Sequence, residues 1–172
     1  MTDDETALIA AAQRNPADFA ALYDRFVQPV YRYLYSLAGN ADDAQDLTAQ
    51  TFLAALETLS RYRHRGHFIA WLFRIAHSKA MDYFRHKPQV ALDTAGHQVE
   101  NADPLADIVY REEIGRLAAL IRSLDDSQQE LIRLRYVAEL SFAEMAALLG
   151  RREDAVKKSL YRLLARLKSQ ME

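Results

Sequence analysis

No cysteine occurs in these 172 residues. That absence excludes disulfides, thiol catalysis and cysteine-ligated zinc, and it fits a reducing compartment. No apolar run approaches the roughly 18 residues that mark a membrane-spanning helix, so no membrane insertion is expected. The opening stretch MTDDETALIA is acidic and lacks the basic start of a secretory signal. A cytoplasmic protein is the expectation. Nor does any segment alternate apolar and polar residues over the length of a strand. Glycine and proline number only 5 and 4, so the chain has few breakers. Half of it is hydrophobic, enough for a packed core in one ordinary domain or two small ones.

The periodicity is that of helices. It predicts them near 3–14, 16–38, 41–60, 67–86, 104–123, 127–138, 142–149 and 154–169. Asn15-Pro16 reads as an N-cap followed by proline at the first helical position. Asn40 precedes ADDAQDL, which places acids in a first turn. Ser127 with Glu130, and Ser141 with Glu144, each match the capping box. Pro29 falls inside the second helix and should kink or interrupt it. Between Pro88 and Pro104 the periodicity fades. The expected architecture is therefore all-α. Two small helical domains, 1–87 and 104–172, are joined by a flexible linker at 88–103.

Charge is distributed unevenly along the chain. The formal net charge is −2. Residues 61–87, RYRHRGHFIAWLFRIAHSKAMDYFRHK, nevertheless carry 7 Lys/Arg, 4 His and 6 aromatics against one acid, Asp82. Residues 151–172 carry 7 Lys/Arg against 3 acids. Acidic blocks flank the first of these basic islands. A charge run is commonly just a solvated face. Two basic islands in separate helical units point instead to a polyanion touched at two places.

The second island lies in SFAEMAALLGRREDAVKKSLYRLLARLK. A short capped helix ends at Gly150 and a second helix follows, which is the spacing of a helix-turn-helix. At about 100° per residue, Val156, Leu160, Leu163, Leu164 and Leu167 share one side and should bury against Met145, Leu148 and Leu149. The opposite side shows Asp154, Lys158, Tyr161, Arg162 and Ala165, flanked by Lys157 and Lys168. Such a helix can lie in a DNA major groove. There Lys157, Lys158 and Arg162 would meet phosphates or guanine edges, and Tyr161 a thymine methyl.

On the helix of the first island, Leu72, Phe73, Ala76, Ala80, Tyr83 and Phe84 form one arc. Trp71, Arg74, His77, Ser78, Met81, Asp82 and Arg85 form the other. The only tryptophan thus sits among polar residues, behind the cationic loop RYRHRGH. Rings for stacking and cations for phosphates suit single-stranded nucleic acid; Trp71 capping the core is the plain alternative. His64 and His67 have an H-x-x-H spacing but lack a helical frame and a third ligand, so no metal is expected. No cofactor is expected either. On helix 41–60, Asp42, Asp43, Asp46, Ala49, Gln50 and Leu53 share a stripe that could serve a basic protein partner.

The segments DAQDLTAQTFLAAL, FIAWLFRIAHSKAMDYFRHK and LSFAEMAALLGRREDAVKKSLYRLLARL, in that order, resemble the extracytoplasmic-function (ECF) group of bacterial sigma factors. The resemblance runs from FAALYDRFVQPVYRYL to the end. It implies that 1–87 is a region-2 domain and 104–172 a region-4 domain. It also implies a protein that binds core RNA polymerase at the clamp helices of the largest subunit and at the flap, and promoter DNA. The implied core-binding positions are Asp43, Asp46, Gln50 and Phe52. The implied captors of the unstacked −10 strand are Tyr62, Arg63, His64, Arg65, His67, Trp71, Arg74, Ser78 and Arg85. The implied readers of the −35 duplex are Lys157, Lys158, Tyr161, Arg162 and Arg166. An anti-sigma factor is an implied partner, and the linker would thread near the RNA exit path. The chain departs from the usual pattern at Gln50, Ser78, Arg151, Arg152, Ala155 and Ser159, and those in the helix-turn-helix bear on which −35 sequence is read.

Two rival functions meet the same residues. A helix-turn-helix regulator acting on duplex DNA alone would need neither the acidic stripe nor the cationic loop. A nuclease using His64, His67, Asp82 or His86 would need a carboxylate cluster or a nucleophile with a placed base, and the sequence presents neither.

Overall fold

A computed structural model describes residues 3–63, 67–86 and 104–171. Asn15 caps a single 3-10 turn at Pro16–Asp18 by accepting from the Ala17 amide. The first unit is α1 (Asp3–Arg14), α2 (Phe19–Ala38), α3 (Ala41–Thr58) and α4 (Phe68–His86). Asn40 caps α3 by accepting from the Asp43 amide. Of the two outcomes expected at Pro29, interruption does not occur: α2 runs through it as one helix. The carbonyl that proline deprives of a partner belongs to Arg25, an exposed residue to which water has access.

The second unit is α5 (Pro104–Arg122), α6 (Asp126–Ile132), α7 (Phe142–Leu149) and α8 (Glu153–Met171). The expected capping box at Ser127 is not formed. Asp125 is the N-cap of α6 and accepts from the Gln128 amide at 2.9 Å, while the Ser127 hydroxyl donates to that same carboxylate at 2.6 Å. These bonds hold the Asp125 carboxyl below its usual pKa. The predicted helix 127–138 is also not uniform. It widens into a π turn at Arg133–Val137, closed by the Ala138 amide on the Arg133 carbonyl at 3.0 Å. Glu139 then takes a positive φ of 59°, and its carboxylate meets Arg32 of α2 at 3.0 Å. Among the described residues no strand is present.

The core of the first unit is built where the periodicity places it. Leu22, Leu34, Leu47, Leu72 and Phe73 are fully buried. That core continues into the second unit. The helix α4 packs on α7, and α2 packs on the π turn. Between them runs a polar relay. The Tyr33 hydroxyl donates to Glu130 Oε1 at 2.8 Å and therefore accepts from His77 Nδ1 at 3.0 Å. Glu130 Oε2 accepts in turn from Arg133 Nη1 at 2.8 Å. Burial, and then the charge of Glu130, push the Tyr33 phenol well above its ordinary value of 10.0. It thus stays a neutral donor at physiological pH. The stability it contributes is complete below about pH 10 and is lost as pH rises through the elevated folded value.

Tyr33→Phe removes this hydroxyl and leaves Glu130 Oε1 and His77 without it. The expected cost is roughly 1–3 kcal/mol, seen as a lower midpoint in chemical denaturation of the full chain. An unchanged midpoint would mean the relay contributes nothing.

Candidate nucleic-acid and polymerase interfaces

The helix-turn-helix is assembled by local chemistry. The Ser141 hydroxyl accepts from the Glu144 amide at 3.3 Å, and Glu144 Oε2 accepts from the Ser141 amide at 2.7 Å, completing a capping box. Gly150 ends α7 with φ of 63°, a conformation that a side chain would strain. Arg151 then donates its amide to the Ala146 carbonyl. Glu153 and Asp154 are first-turn acids of α8. The Ala155 and Val156 amides both bond to the Arg152 carbonyl, so Arg152 occupies the cap position and the acids act through the helix dipole.

Val156, Leu160, Leu163 and Leu167 are buried and Leu164 is half-buried. Met145 is buried on α7, and Leu148 and Leu149 are half-buried. The outward face of α8 carries Lys157, Lys158, Tyr161, Arg162 and Arg166, all exposed. Tyr161 is 53 % exposed, with its ring 5.9 Å from Phe142. The Lys157 ammonium lies 5.8 Å from that same ring, and the Arg135 guanidinium 5.0 Å. Phe142 thus lies beside two of the implied readers, Tyr161 and Lys157. This contact was not foreseen, because position 142 reads as an ordinary first-turn core residue.

In the first unit the expected strand-binding residues divide. Tyr62, Arg63, His67, Trp71 and Arg74 line one cleft of about 290 Å³ with Arg61. Trp71 is half-buried, its ring 4.9 Å from Tyr62 and 5.2 Å from Phe68. It therefore both caps the core and keeps part of its surface in the cleft. Tyr62 is different: it is 8 % exposed and packs edge-on against Phe68 at 5.4 Å. An open ring at Tyr62 is not what the fold presents, because the turn at Leu59–Arg61 folds this residue back onto the core. Arg74 is exposed but donates to the Ala147 carbonyl of α7 at 2.6 Å. Ser78 is exposed in a second cleft of about 410 Å³ between the units, beside His77, Glu130 and Leu149. Arg85 stands at the far end of α4, paired with Asp82 at 2.9 Å. His64 and Arg65 lie outside the described residues, as does the linker, and so does the side chain of His86. Among the described residues no cluster of three metal-ligating side chains occurs.

The acidic stripe of α3 faces outward. Asp42, Asp46, Ala49, Gln50 and Leu53 are exposed, and Asp43 is half-buried with its carboxylate on Asn40. Phe52 does not belong to that surface. It is 5 % exposed and packs edge-on between Tyr23 and Phe19. Two positions along a helix turn a side chain about 200°, which points Phe52 away from Gln50. The apolar members of the outer surface are instead Leu53 and Leu56, at 57 % and 37 % exposure. Tyr23 of α2, 42 % exposed, lies beside Phe52.

The family model for Sigma-70 region 2 matches residues 22–88, and that for Sigma-70, region 4 matches residues 114–167. The ECF RNA polymerase sigma factor SigM of Bacillus subtilis is 30% identical over 153 residues, covering 86% of this chain and 91% of that protein. The chain belongs to the ECF sigma factors. The ECF RNA polymerase sigma factor BldN of Streptomyces coelicolor is 34% identical over 166 residues, and the chain spans 63% of its length. Among solved structures, CnrH in complex with the cytosolic domain of CnrY superimposes with a TM-score of 0.64 at 26% identity. The match covers 96% of this chain and 95% of that one. RpoE in complex with the anti-sigma factor NepR from Bartonella quintana shares the fold, with a TM-score of 0.63 at 20% identity over 88% of this chain and 95% of that one. The function class of this sigma factor is accordingly the direction of RNA polymerase to promoters. No described helix is long and apolar enough to cross a membrane.

Proposed function

We propose that this sigma factor acts without catalysis of its own, in the cytoplasm, by dividing promoter recognition between its two units. The unit 104–172 reads the −35 duplex with Lys157, Lys158, Tyr161, Arg162 and Arg166. The unit 1–87 holds the separated −10 strand in the cleft around Trp71, with Arg63, His67 and Arg74 on its phosphates and Ser78 further along α4. The stripe Asp42–Asp46–Gln50, with Leu53, docks on core polymerase. Residues 88–103 link the two units. An anti-sigma factor is a further partner that membership of the ECF sigma factors suggests.

One observation carries the proposal: α8 exposes Lys157, Lys158, Arg162 and Arg166, while the Trp71 cleft is built mainly by the first unit and bordered by Ala147 of α7, and an exposed acidic stripe lies on α3. A regulator of duplex DNA alone has no use for the stripe or the cleft. The deciding experiment is in vitro transcription with purified core polymerase. Promoter-specific initiation dependent on this chain is expected, and binding of duplex with no effect on initiation would favour the regulator. In the same system Lys158→Ala should weaken binding to the upstream element by about 1–3 kcal/mol, the range for a bidentate base contact. Lys158 is exposed, so its truncation leaves the fold intact. Footprints of equal strength would remove it from the readers.

A further inference from the structure

The helix α1 lies before the segment that the region 2 model matches, which begins at residue 22. Its composition does not mark it for DNA: DDETALIAAAQR holds three acids and one base, Arg14. Its packing shows a different use. Ile9 and Ala12 enter the core. Glu5, Ile9 and Gln13 stand four residues apart along one ridge of the helix. That ridge meets the 3-10 turn at Leu59–Arg61.

Gln13 gives the contact its direction. Its Nε2 donates to the Leu59 carbonyl at 3.0 Å and to the Tyr62 carbonyl at 2.9 Å. A primary amide carries two N–H donors, and both are spent on backbone oxygens 46 and 49 positions along the chain. The Leu59 carbonyl also accepts from the Tyr62 amide at 3.0 Å. One half-buried side chain thus fixes both ends of the turn. Glu5, on the same ridge, is buried and acts on the Tyr62 phenol. Burial, and then that charge, raise the phenol above its ordinary value of 10.0, so the ring stays neutral against Phe68 and Trp71.

The residues held in this way border the cleft. Arg61, Tyr62 and Arg63 line it together with Trp71 and Arg74 of α4. The Tyr62 ring lies 4.9 Å from that of Trp71, and Arg61 and Arg63 on either side of it are exposed. A displaced turn therefore moves the ring that supports Trp71 and two of the cleft's guanidiniums. Binding sites need their contact groups held to within about 0.5 Å by packing and supporting hydrogen bonds.

We propose that Gln13 is a positioning residue for strand capture: by holding the Leu59 and Tyr62 carbonyls, it sets the Trp71 ring and the guanidiniums of Arg61 and Arg63 in the geometry that receives the separated −10 strand. It rests on the reading of the Trp71 cleft as the capture site. Gln13 acts through these residues and not by contact with DNA.

Gln13→Met tests the role. Methionine is close to glutamine in length and helix propensity and cannot donate to either carbonyl. Both measurements use the full chain at a temperature where circular dichroism shows it folded. The first is the emission of Trp71, the only tryptophan. Gln13→Met should shift its maximum and change its quenching by acrylamide. The second is the affinity of the holoenzyme for a promoter fragment premelted across the −10 element, the fragment being one that the unaltered holoenzyme selects from genomic DNA. Gln13→Met should weaken it about fivefold or more, the low end of what a stacked base contributes. Ile9→Val removes a buried methylene from the same ridge and leaves both amide bonds in place. It should lower the midpoint of unfolding and leave emission and affinity unchanged.

If Trp71→Leu weakens binding to the premelted fragment and Gln13→Met does not, the positioning role is refuted and the capture site stands. If neither weakens it, the capture reading fails and the role of Gln13 fails with it. Equal weakening by Gln13→Met and Ile9→Val would reduce Gln13 to a contributor to stability and overturn the proposal. Weakening by Gln13→Met with unmoved Trp71 emission would overturn it too, because the effect would not pass through the cleft.

Discussion

Asp46→Arg is expected to abolish co-purification of the chain with core RNA polymerase while leaving its thermal stability intact. Asp46 is exposed, and no described neighbour pairs with it. Asp42 lies four residues earlier, on the same face of α3. Replacing one of two like charges with a cation relieves repulsion within the helix, so the fold loses nothing. The interface loses an attraction and gains a repulsion. Like-charge juxtaposition at a protein interface costs several kcal/mol, and each 1.4 kcal/mol is about tenfold in affinity. The apolar surface of Leu53 and Leu56 stays exposed, so residual binding through it is a built-in control. A Leu53→Ala variant should retain much of the affinity. Undiminished recovery of Asp46→Arg with core polymerase would place the dock elsewhere on the chain.

The second large effect is expected at Trp71. Trp71→Ala should slow or prevent open-complex formation while duplex binding by α8 is preserved. A base stacked on an aromatic ring contributes roughly 1–3 kcal/mol, which corresponds to about 5- to 150-fold in open-complex yield. The half-buried ring also packs on Tyr62 and Phe68, so the alanine variant lowers stability as well. Trp71→Leu separates the two contributions. It fills much of the same space and offers no ring face, so it should keep the midpoint of unfolding and still melt the promoter poorly. Normal melting by Trp71→Leu would leave the ring with a core role alone. Arg74 bears on the same step: its Nη2 is held by the Ala147 carbonyl, which orients the guanidinium while its other N–H groups can still donate to a phosphate.

Much of this was legible before any coordinates. Helix phase is a strictly local property: at 3.6 residues per turn, Leu72, Phe73, Ala76 and Ala80 must share a face, and they are buried together. The caps at Asn15, Asn40 and Ser141 followed from side chains that can accept from amides two or three residues on. The cap at Ser127 failed because Asp125, two residues earlier, accepts from the Gln128 amide and from the Ser127 hydroxyl itself, so the helix begins before Ser127. The π turn at Arg133–Val137 had no signature in the local sequence; it forms where the chain packs on α2.

What the amino-acid sequence alone determined is the set of helices, their apolar faces and the two basic islands, because periodicity and charge act over one or two turns of chain. Tertiary structure alone decided which aromatic residues of those islands and stripes meet solvent. Phe52 and Tyr62 are taken into the core while Trp71 keeps an open side; for Phe52 that choice depends on Phe19 and Tyr23 arriving from α2, and Phe68, against which Tyr62 and Trp71 pack, is itself held by Phe26 of α2. Tertiary structure also decided that α7 lies against α4 and that Tyr33 reaches Glu130 across 97 positions of sequence. No local pattern encodes such a contact, because its energy arises only when both surfaces have been folded and brought together.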